Sequence, residues 1–357
     1  TEDEVRRAAT STVADTIRGL EQVGGFGGKA VTLASGEVLA DDPAFYARQF
    51  EILATLTPAE VQAAMQRWLT RPSFTLVLEP GERDGSYEEA ASVAETEAAA
   101  EAGAPDALTV TEVRPAPPIE SVAELDFPEV QHTALANGMT LHYAQRDAIP
   151  ATYVTLSFDA GSSADPADKR GLEGLALGLF EEGTTTMSSR EIAETSERLG
   201  ANISLGGGAD RSSFTLSALS ANLVPSLELL SDIVRNPAFA QSEIDRVRAQ
   251  RITGVEQELR TPSAIAARTI SPLIYGAESP YAGPDTGTVA SLSAITREDI
   301  TGFKDRWIRP DNGEVFVVSD RPLAEIEAAL NGVLGDWQAP AVAKGTKSFD
   351  AAPAAPA

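Results

Sequence analysis

Apolar positions recur along this chain with two different periods, which separate predicted helices from predicted strands. Residues 171–184 read GLEGLALGLFEEGT, and their apolar side chains follow the period of one helix face, of about 3.6 residues. These apolar positions are Leu172, Leu175, Ala176, Leu179 and Phe180. The pattern predicts a helix over this stretch, with Gly183 as its C-terminal cap.

The second half of the chain alternates helical and strand patterns. A period of two residues predicts strands at 139–145, 152–158, 202–207, 212–219 and 315–318. Helices with recognisable caps or proline starts are predicted at 188–200, 222–235, 242–260, 262–275, 297–308 and 322–333. Together these elements predict an α+β fold.

The first eighty residues are predicted to be mainly helical. Residues 3–22 have apolar side chains at helical spacing, and Thr57-Pro58-Ala59-Glu60 is a capping box that opens a second helix. Its apolar stripe (Val61, Met65, Trp68 and Leu69) is interpreted as core, and residues 74–78, FTLVL, as a buried strand.

The glycine-rich segment GGFGGKA at 24–30 has two interpretations. A phosphate-binding loop needs G-x-x-x-x-G-K-[ST] after a strand. Here Val23 and Ala30 occupy the first glycine and the hydroxyl positions, and a predicted helix precedes the segment. A turn between two helices is the preferred interpretation.

Residues 82–126 differ in composition from the rest. They are rich in Ala, Glu and Pro, their acidic residues far outnumber Arg83 and Arg114, and they show little apolar periodicity. We interpret this segment as a solvated linker between domains rather than an acidic binding tail.

A short repeat lies on either side of this linker. Thr57 to Trp68 and Thr296 to Trp307 both begin with a threonine cap, have an acid three residues later and end with a tryptophan. A predicted strand follows each copy, so the repeat indicates two copies of one fold.

Composition narrows the functional classes. The chain has 357 residues and a net charge of −25, which argues against a nucleic-acid partner and against an anionic membrane surface. It has no cysteine, which excludes disulfides and thiolate metal sites. It has no apolar run of about 20 residues and no signal-peptide pattern. A helical start and the Pro/Ala tail AAPAAPA lead us to expect a piece of a longer protein.

The stretch at 171–184 resembles the signature helix of the insulinase/pitrilysin family of zinc metallopeptidases, which carries H-x-x-E-H between a glycine and a Gly-Thr. Aligned on Gly171 and Gly183, the two histidine positions fall on Gly174 and Gly178, and the glutamate position falls on Leu177. The segment SPYAGPDTGT at 279–288 is similar to a proline/glycine segment of the family.

A catalytic zinc site needs three protein ligands, an open position for water and a nearby carboxylate base. Neither glycine offers a ligand, and Leu177 can move no proton. The resemblance places the third ligand in the window Gln250–Gly254, which has no carboxylate. We therefore predict no catalytic residue, no metal ligand and no cofactor site in this chain, and we expect zinc only in a partner half.

Other candidate residues have simpler interpretations. The two histidines, His132 and His142, are ten residues apart, which fits no ligand spacing, so we interpret them as surface or sheet residues. Two acidic pairs are interpreted as solvated helix surfaces: Glu181 with Glu182, and Glu256 with Glu258. Gly206–Gly208 is interpreted as a bulge or hairpin. No G-x-S-x-G elbow follows a strand, which leaves a serine hydrolase without support.

The resemblance implies a mostly antiparallel sheet with helices packed on one face, in a domain that is repeated. The predicted organisation has four parts: the C-terminal part of one peptidase-like domain at 1–81, the linker at 82–126, a complete peptidase-like domain with a degenerate zinc motif at 127–340, and a Pro/Ala linker tail at 341–357.

Two functions follow from the resemblance. The first is a non-catalytic part of a metalloendopeptidase that helps enclose unfolded peptide for a zinc-bearing half, on the same chain or on a partner subunit. The alternative is a structural or assembly module with no peptidase role. The resemblance alone implies a periplasmic location.

Overall fold

A computed structural model describes residues 1–77, 127–276 and 279–347. It divides the chain into two units. One comprises Thr1–Gln62 together with Pro128–Ala357, and the other comprises Ala63–Phe127. The predicted linker at 82–126 and most of the predicted tail lie outside the described residues.

The larger unit is built on one six-stranded sheet of order β1-β2-β6-β3-β5-β4. The strands are β1 (Val130–Ala134), β2 (Thr140–Gln145), β3 (Ala151–Phe158), β4 (Asn202–Gly207), β5 (Ser212–Leu219) and β6 (Gly313–Ser319). Strand β6 lies between β2 and β3, and it is parallel to β2. The remaining pairings in this sheet are antiparallel, as predicted.

The α-helices of the described residues are α1 (Glu2–Gly19), α2 (Lys29–Ala40), α3 (Phe45–Thr55), α4 (Pro58–Leu69), α5 (Leu172–Leu177), α6 (Ser189–Leu199), α7 (Leu223–Arg235), α8 (Gln241–Glu258), α9 (Pro262–Tyr275), α10 (Val289–Ala294), α11 (Arg297–Trp307) and α12 (Leu323–Leu334). The chain is thus α+β, as the sequence predicts. Strand β1 and helices α3 and α10 were not predicted.

The core lies between the sheet and the helices that follow β3. On β3, Val154, Leu156 and Phe158 are buried, whereas Tyr153 and Thr155 on the opposite face are half-buried. Phe158 contacts Phe214 of β5 edge to face, with ring centroids 5.8 Å apart. This alternation follows from the period of two in a strand that has helices on one face.

Helix α1 packs on α6 and reaches the other face of the sheet. Arg18 donates from Nε to Ser217 Oγ on β5 over 2.8 Å, and its Nη2 donates to the carbonyl oxygen of Gly200. Tyr153 on β3 donates its hydroxyl to Glu21 over 2.9 Å. Residues 1–62 therefore lie in the same unit as the sheet.

The segment GGFGGKA forms part of a turn between two helices, as preferred from the sequence. Gly28 is the N-cap of α2, and the Lys29 amide donates to the carbonyl oxygen of Gln22 over 2.7 Å. Phe26 is fully exposed.

Helix α4 begins with the predicted capping box, since Thr57 donates its amide to Glu60 over 2.9 Å. The interpretation of its stripe as core is wrong, because Met65, Trp68 and Leu69 are more than half exposed. Arg71 lies over the ring of Trp68, 4.1 Å from its centroid.

The predicted buried strand at 74–78 is also wrong for its described part. Residues 74–77 form no strand, and Phe74 is 91% exposed. A strand needs a hydrogen-bonded neighbour, and residues 74–77 pair with no strand of the described ranges. An apolar run shows β-propensity but does not supply that neighbour.

Candidate functional site

The degenerate motif forms a helix that is shorter than predicted. Helix α5 ends at Leu177, and its C-cap is Gly178, whose amide donates to the carbonyl oxygen of Gly174. The following residues continue in turns with three-residue spacing, as in the bond from the Phe180 amide to Leu177. Gly183 is therefore not the helix cap, and its φ of 132° belongs to a separate turn. Two glycines in one helical turn weaken the helix, which accounts for the early end.

Asp165 holds the start of α5 from the preceding loop. Its Oδ2 accepts from the Gly171 amide over 2.9 Å, and its Oδ1 accepts from the Glu173 amide over 2.8 Å. These bonds satisfy two amides that a helix start leaves unpaired. Asp165 is 7% exposed, and burial raises its pKa to about 7, although the two amides act in the opposite direction.

Glu173 is buried at the first turn of α5, where it is 4% exposed. Its Oε1 accepts from Ser212 Oγ on β5 over 2.7 Å. Burial raises its pKa, while Ser212 and the charge of Arg251 oppose that change. The carboxylate also fills the space beside β4, because a Cβ atom on Gly207 would lie 2.3 Å from Oε1.

Arg251 of α8 lies against both glycines at the former histidine positions. Its Nη2 donates to the carbonyl oxygen of Gly174, 77 residues earlier in the chain. A Cβ atom on Gly174 would lie 2.9 Å from Nη1, and one on Gly178 would lie 3.3 Å from Nη2. Burial lowers the pKa of Arg251, and the charge of Glu173 opposes this effect.

These residues line a cavity of about 310 Å³. Its walls come from α5, from the end of β4, from α8 and from the loop after α9. The lining residues are Glu173, Gly174, Leu177, Gly178, Glu181, Leu205, Gly207, Gly208, Arg251, Asp285 and Thr286. Arg251 is the one basic side chain among them, so the cavity combines three carboxylates and one guanidinium with apolar and glycine walls.

The residues at this cavity do not fit a catalytic zinc ion. Gly174 and Gly178 provide no ligand, and Leu177, at 6% exposure, is part of the hydrophobic core. A guanidinium lies where the ligand side chains would extend, and its charge opposes a second cation. Within 1–77, 127–276 and 279–347, no group of three or more His, Cys, Asp or Glu side chains is arranged to hold a metal.

The resemblance places the third-ligand position in the window 250–254, but no pattern in the sequence predicts the role of Arg251 or Glu173. A contact between residues far apart in the sequence produces no periodic pattern near either residue. A pair of glycines four residues apart, opposite a window that contains an arginine, was the available signal.

Three of the four acidic residues are less solvated than interpreted from the sequence, whereas Glu256 is exposed, as interpreted. Glu181 is half-buried, and its pKa is raised by burial and by Glu182, which itself pairs with Arg246. Glu258 pairs with Arg268 over 2.5 Å and accepts from Thr286 over 3.1 Å. Helical geometry points adjacent side chains in different directions, but it does not predict which of them contacts another helix or loop.

The two histidines meet although their spacing fits no ligand motif. They are opposite each other on β1 and β2, so a separation of ten residues across a hairpin brings them into contact. Both are sheet residues, as interpreted from the sequence. Gly206 and Gly207 end β4, and Gly208 is in the turn to β5.

Two family models match the chain. Residues 143–273 match the model described as Insulinase (Peptidase family M16), and residues 294–356 match the one described as Peptidase M16 inactive domain. The chain belongs to the insulinase family, M16. The first match contains α5 and Arg251, so the degenerate motif lies within the residues that match the family model.

Relatives in the M16 family are distant and longer. An uncharacterized zinc protease of Rickettsia felis is 23% identical over 178 residues, which are 50% of this chain and 43% of that protein. The chain spans less than half the length of the curated relatives that it matches.

Solved M16 structures share the fold. A peptidase M16 inactive domain from Pseudomonas fluorescens is 27% identical with a TM-score of 0.57, covering 61% of this chain and 53% of that chain. The periplasmic protease PqqL from Escherichia coli is 18% identical with a TM-score of 0.57, covering 65% of this chain and 26% of that chain. Among the residues that the structure describes, no helix has the length and apolar character that a membrane crossing requires.

Proposed function

We propose that this chain is the non-catalytic part of an insulinase-type zinc metallopeptidase, which helps enclose and bind unfolded peptide for a zinc-bearing half outside the chain. That half belongs to the same protein or to a partner subunit. The degenerate positions Gly174, Leu177 and Gly178 take no catalytic role, and the chain itself binds no cofactor.

The observation that carries the proposal is the position of Arg251. Its guanidinium contacts Gly174 and Gly178, and a buried carboxylate, Glu173, offsets its charge. A protein that still cut peptides at this site would need open ligands and a base there. The hydrogen bond from Arg251 to the carbonyl oxygen of Gly174 supports the fold of the site, while the motif positions supply neither metal ligands nor a base.

The cavity beside Arg251 supports a peptide-binding role. Its polar groups and the apolar side chains of Leu177 and Leu205 offer both hydrogen bonds and apolar contacts to an extended chain. The adjoining wall at Asp285 and Thr286 also lines a larger cavity of about 520 Å³ along α9. The two cavities meet at these residues, so a peptide longer than a few residues has continuous surface to follow.

We also propose a periplasmic location. Its support is membership of a family that includes the periplasmic PqqL, and it is tested by fractionating cells that express the full natural protein.

The test uses an unstructured, fluorescently labelled peptide of about thirty residues. We expect the purified chain to bind it saturably, by fluorescence anisotropy, and to leave it uncut, by mass spectrometry. Gly208 lines the cavity, and a Cβ atom there would meet only Arg211 O at 3.7 Å, so we expect the variant Gly208→Trp to be tolerated and to obstruct the cavity. This variant should weaken binding at least tenfold.

The matched control is Gly254→Trp, because a Cβ atom on Gly254 has no heavy atom within 4 Å. It should bind as the parent does. Peptide cleavage by the parent would overturn the non-catalytic assignment. Absence of binding by the parent would favour the assembly module instead, and equal binding by both variants would place the peptide elsewhere.

A further inference from the structure

The chain has two histidines, and the structure brings them into direct contact. His132 on β1 lies opposite His142 on β2. Their Nδ1 atoms are 2.9 Å apart, and their rings are nearly perpendicular, at 87°. Two nitrogen atoms at this distance share one proton in the metal-free protein, so one Nδ1 donates and the other accepts.

The surroundings fix one ring and leave the other accessible. His142 stacks on Phe316 of β6, with ring centroids 4.6 Å apart and an angle of 11° between the planes. It is half-buried on a strand paired on both sides. His132 is exposed on β1, which is an edge strand of the sheet. An ion from solvent can therefore reach the exposed ring of His132 and then contact the ring of His142, which is held in place.

We propose that His132 and His142 bind one divalent transition-metal ion, Cu²⁺ or Ni²⁺, through both Nδ1 atoms. A metal–nitrogen bond is about 2.05 Å long. An ion bonded to two nitrogens that are 2.9 Å apart therefore has an N–metal–N angle of about 90°. That is the angle between neighbouring ligands in the tetragonal geometry of Cu²⁺ and Ni²⁺, whereas tetrahedral zinc needs a wider one.

The ligand type sets the order of affinities. The site has two imidazoles and, within the described residues, no third side chain placed as a ligand, so water completes the coordination. Imidazole nitrogen suits Cu²⁺, Ni²⁺ and Zn²⁺, whereas Mg²⁺ and Ca²⁺ prefer oxygen. We expect affinity to fall from Cu²⁺ to Ni²⁺ and to be weaker for Zn²⁺.

The state of His142 lowers the expected affinity for the ion. Coordination through Nδ1 places the ring proton on Nε2, and Nε2 of His142 is buried with no hydrogen-bond partner. Ligating histidines in tight sites donate that proton to an acceptor, which orients the ring and raises affinity. The site thus differs from a tightly held structural metal centre, and it is separate from the degenerate motif at α5.

Binding would join the edge strand β1 to β2 by a second kind of bond. Because an ion that binds only the folded hairpin stabilises the folded state, bound metal should raise the unfolding temperature. This inference does not rest on the proposed peptidase role.

The experiment is calorimetric titration of the chain, free of any histidine tag, with NiCl₂. We expect one saturable site in the parent. The variants His132→Gln and His142→Gln should each weaken binding at least tenfold. The matched control Thr140→Ala changes an exposed residue on the same face of β2, and it should bind as the parent does. The metal-free unfolding temperature of each variant checks that the fold is kept.

A spectroscopic reading tests the ligands directly. With one equivalent of Cu²⁺, the electron paramagnetic resonance spectrum of the parent should show coupling to two equivalent imidazole nitrogens, and each single variant should lose it. No saturable binding of Ni²⁺ at millimolar concentration would overturn the proposal. So would binding that survives both single substitutions.

Discussion

A Cβ atom on Gly174 would lie 2.9 Å from Nη1 of Arg251, so a side chain at the first position and the guanidinium in its present place exclude each other. The motif has therefore not only lost its ligands. A cation from α8 occupies the space, and the buried carboxylate of Glu173 offsets that charge. We therefore expect the stability of this region to depend on the contact between Arg251 and Gly174.

The first prediction concerns Arg251. Replacing it with methionine (Arg251→Met) keeps the apolar stem but leaves Glu173 buried without the opposing charge. We expect the free energy of unfolding to fall by about 2 kcal/mol. Urea unfolding followed by tryptophan fluorescence measures the change.

The control for this variant is Arg260→Met, which removes an exposed arginine two residues beyond the end of α8. It should change stability by less than about 0.5 kcal/mol. The double variant Arg251→Met/Glu173→Gln should regain part of the loss, because the uncompensated charge is gone. Equal stability of Arg251→Met and the parent would contradict the assigned role.

The second prediction is a pH dependence from Asp165. Its pKa is raised from 3.8 to about 7 in the folded chain. Between these values the folded state keeps a proton that the unfolded state releases, so this group's contribution to stability decreases as pH rises through that window. Above about pH 7 its contribution is constant.

The measurement compares urea midpoints at pH 5, 6, 7 and 8 for the parent and for Asp165→Asn. The asparagine has no such titration, so the decrease in stability with pH should be smaller in the variant. A smaller decrease in stability should remain in the variant, because the pKa of Glu173 is also raised by burial. A variant with the same pH dependence as the parent would show that Asp165 stays ionised throughout.

The third prediction tests the space around Glu173. In Gly207→Ala the new Cβ atom would lie 2.3 Å from Oε1 of this buried carboxylate, which Ser212 also holds. We expect a loss of about 1–3 kcal/mol from overpacking. Gly208→Ala is the control, since its Cβ atom would have only an ordinary contact of 3.7 Å. A tolerated Gly207→Ala would mean that the carboxylate can leave its position at little cost.

The fourth prediction is that restoring the motif does not restore activity. The triple variant Gly174→His/Leu177→Glu/Gly178→His supplies two ligands and a base. However, its first histidine meets Arg251, and its glutamate replaces a core leucine. We expect a chain less stable than the parent, without tightly bound zinc after dialysis and inert on unstructured peptide. Zinc-dependent, chelator-sensitive cleavage by this variant alone would be inconsistent with the non-catalytic assignment.

Local patterns predicted most elements after residue 130 closely. The predicted strands at 202–207 and 212–219 have the observed bounds, because alternation marks the strands and Gly206–Gly208 mark the turn between them. Strand β1 was missed because its residues are mostly exposed, which leaves no apolar alternation to detect. The signature helix was predicted too long, because its apolar pattern continues through turns after Gly178.

Local sequence patterns could not predict contacts between residues that are far apart in the sequence. Met65 and Trp68 have the spacing of a buried stripe, but spacing does not show whether a partner surface exists. The same limit applies to Arg251, whose partner Gly174 is 77 residues away. The separation of ten residues between His132 and His142 did not predict their contact for a related reason, since spacing rules for one helix or loop do not describe two residues across a hairpin.

The insertion of β6 between β2 and β3 has a consequence for synthesis of the chain. Strand β2 ends at Gln145, but its second neighbour begins at Gly313. During synthesis on the ribosome, β2 and β3 therefore emerge long before β6, which lies between them. The central part of the sheet cannot form until β6 leaves the exit tunnel. Until then, the edges of β2 and β3 that β6 will cover are unpaired, which makes this the period when the nascent chain most needs a chaperone.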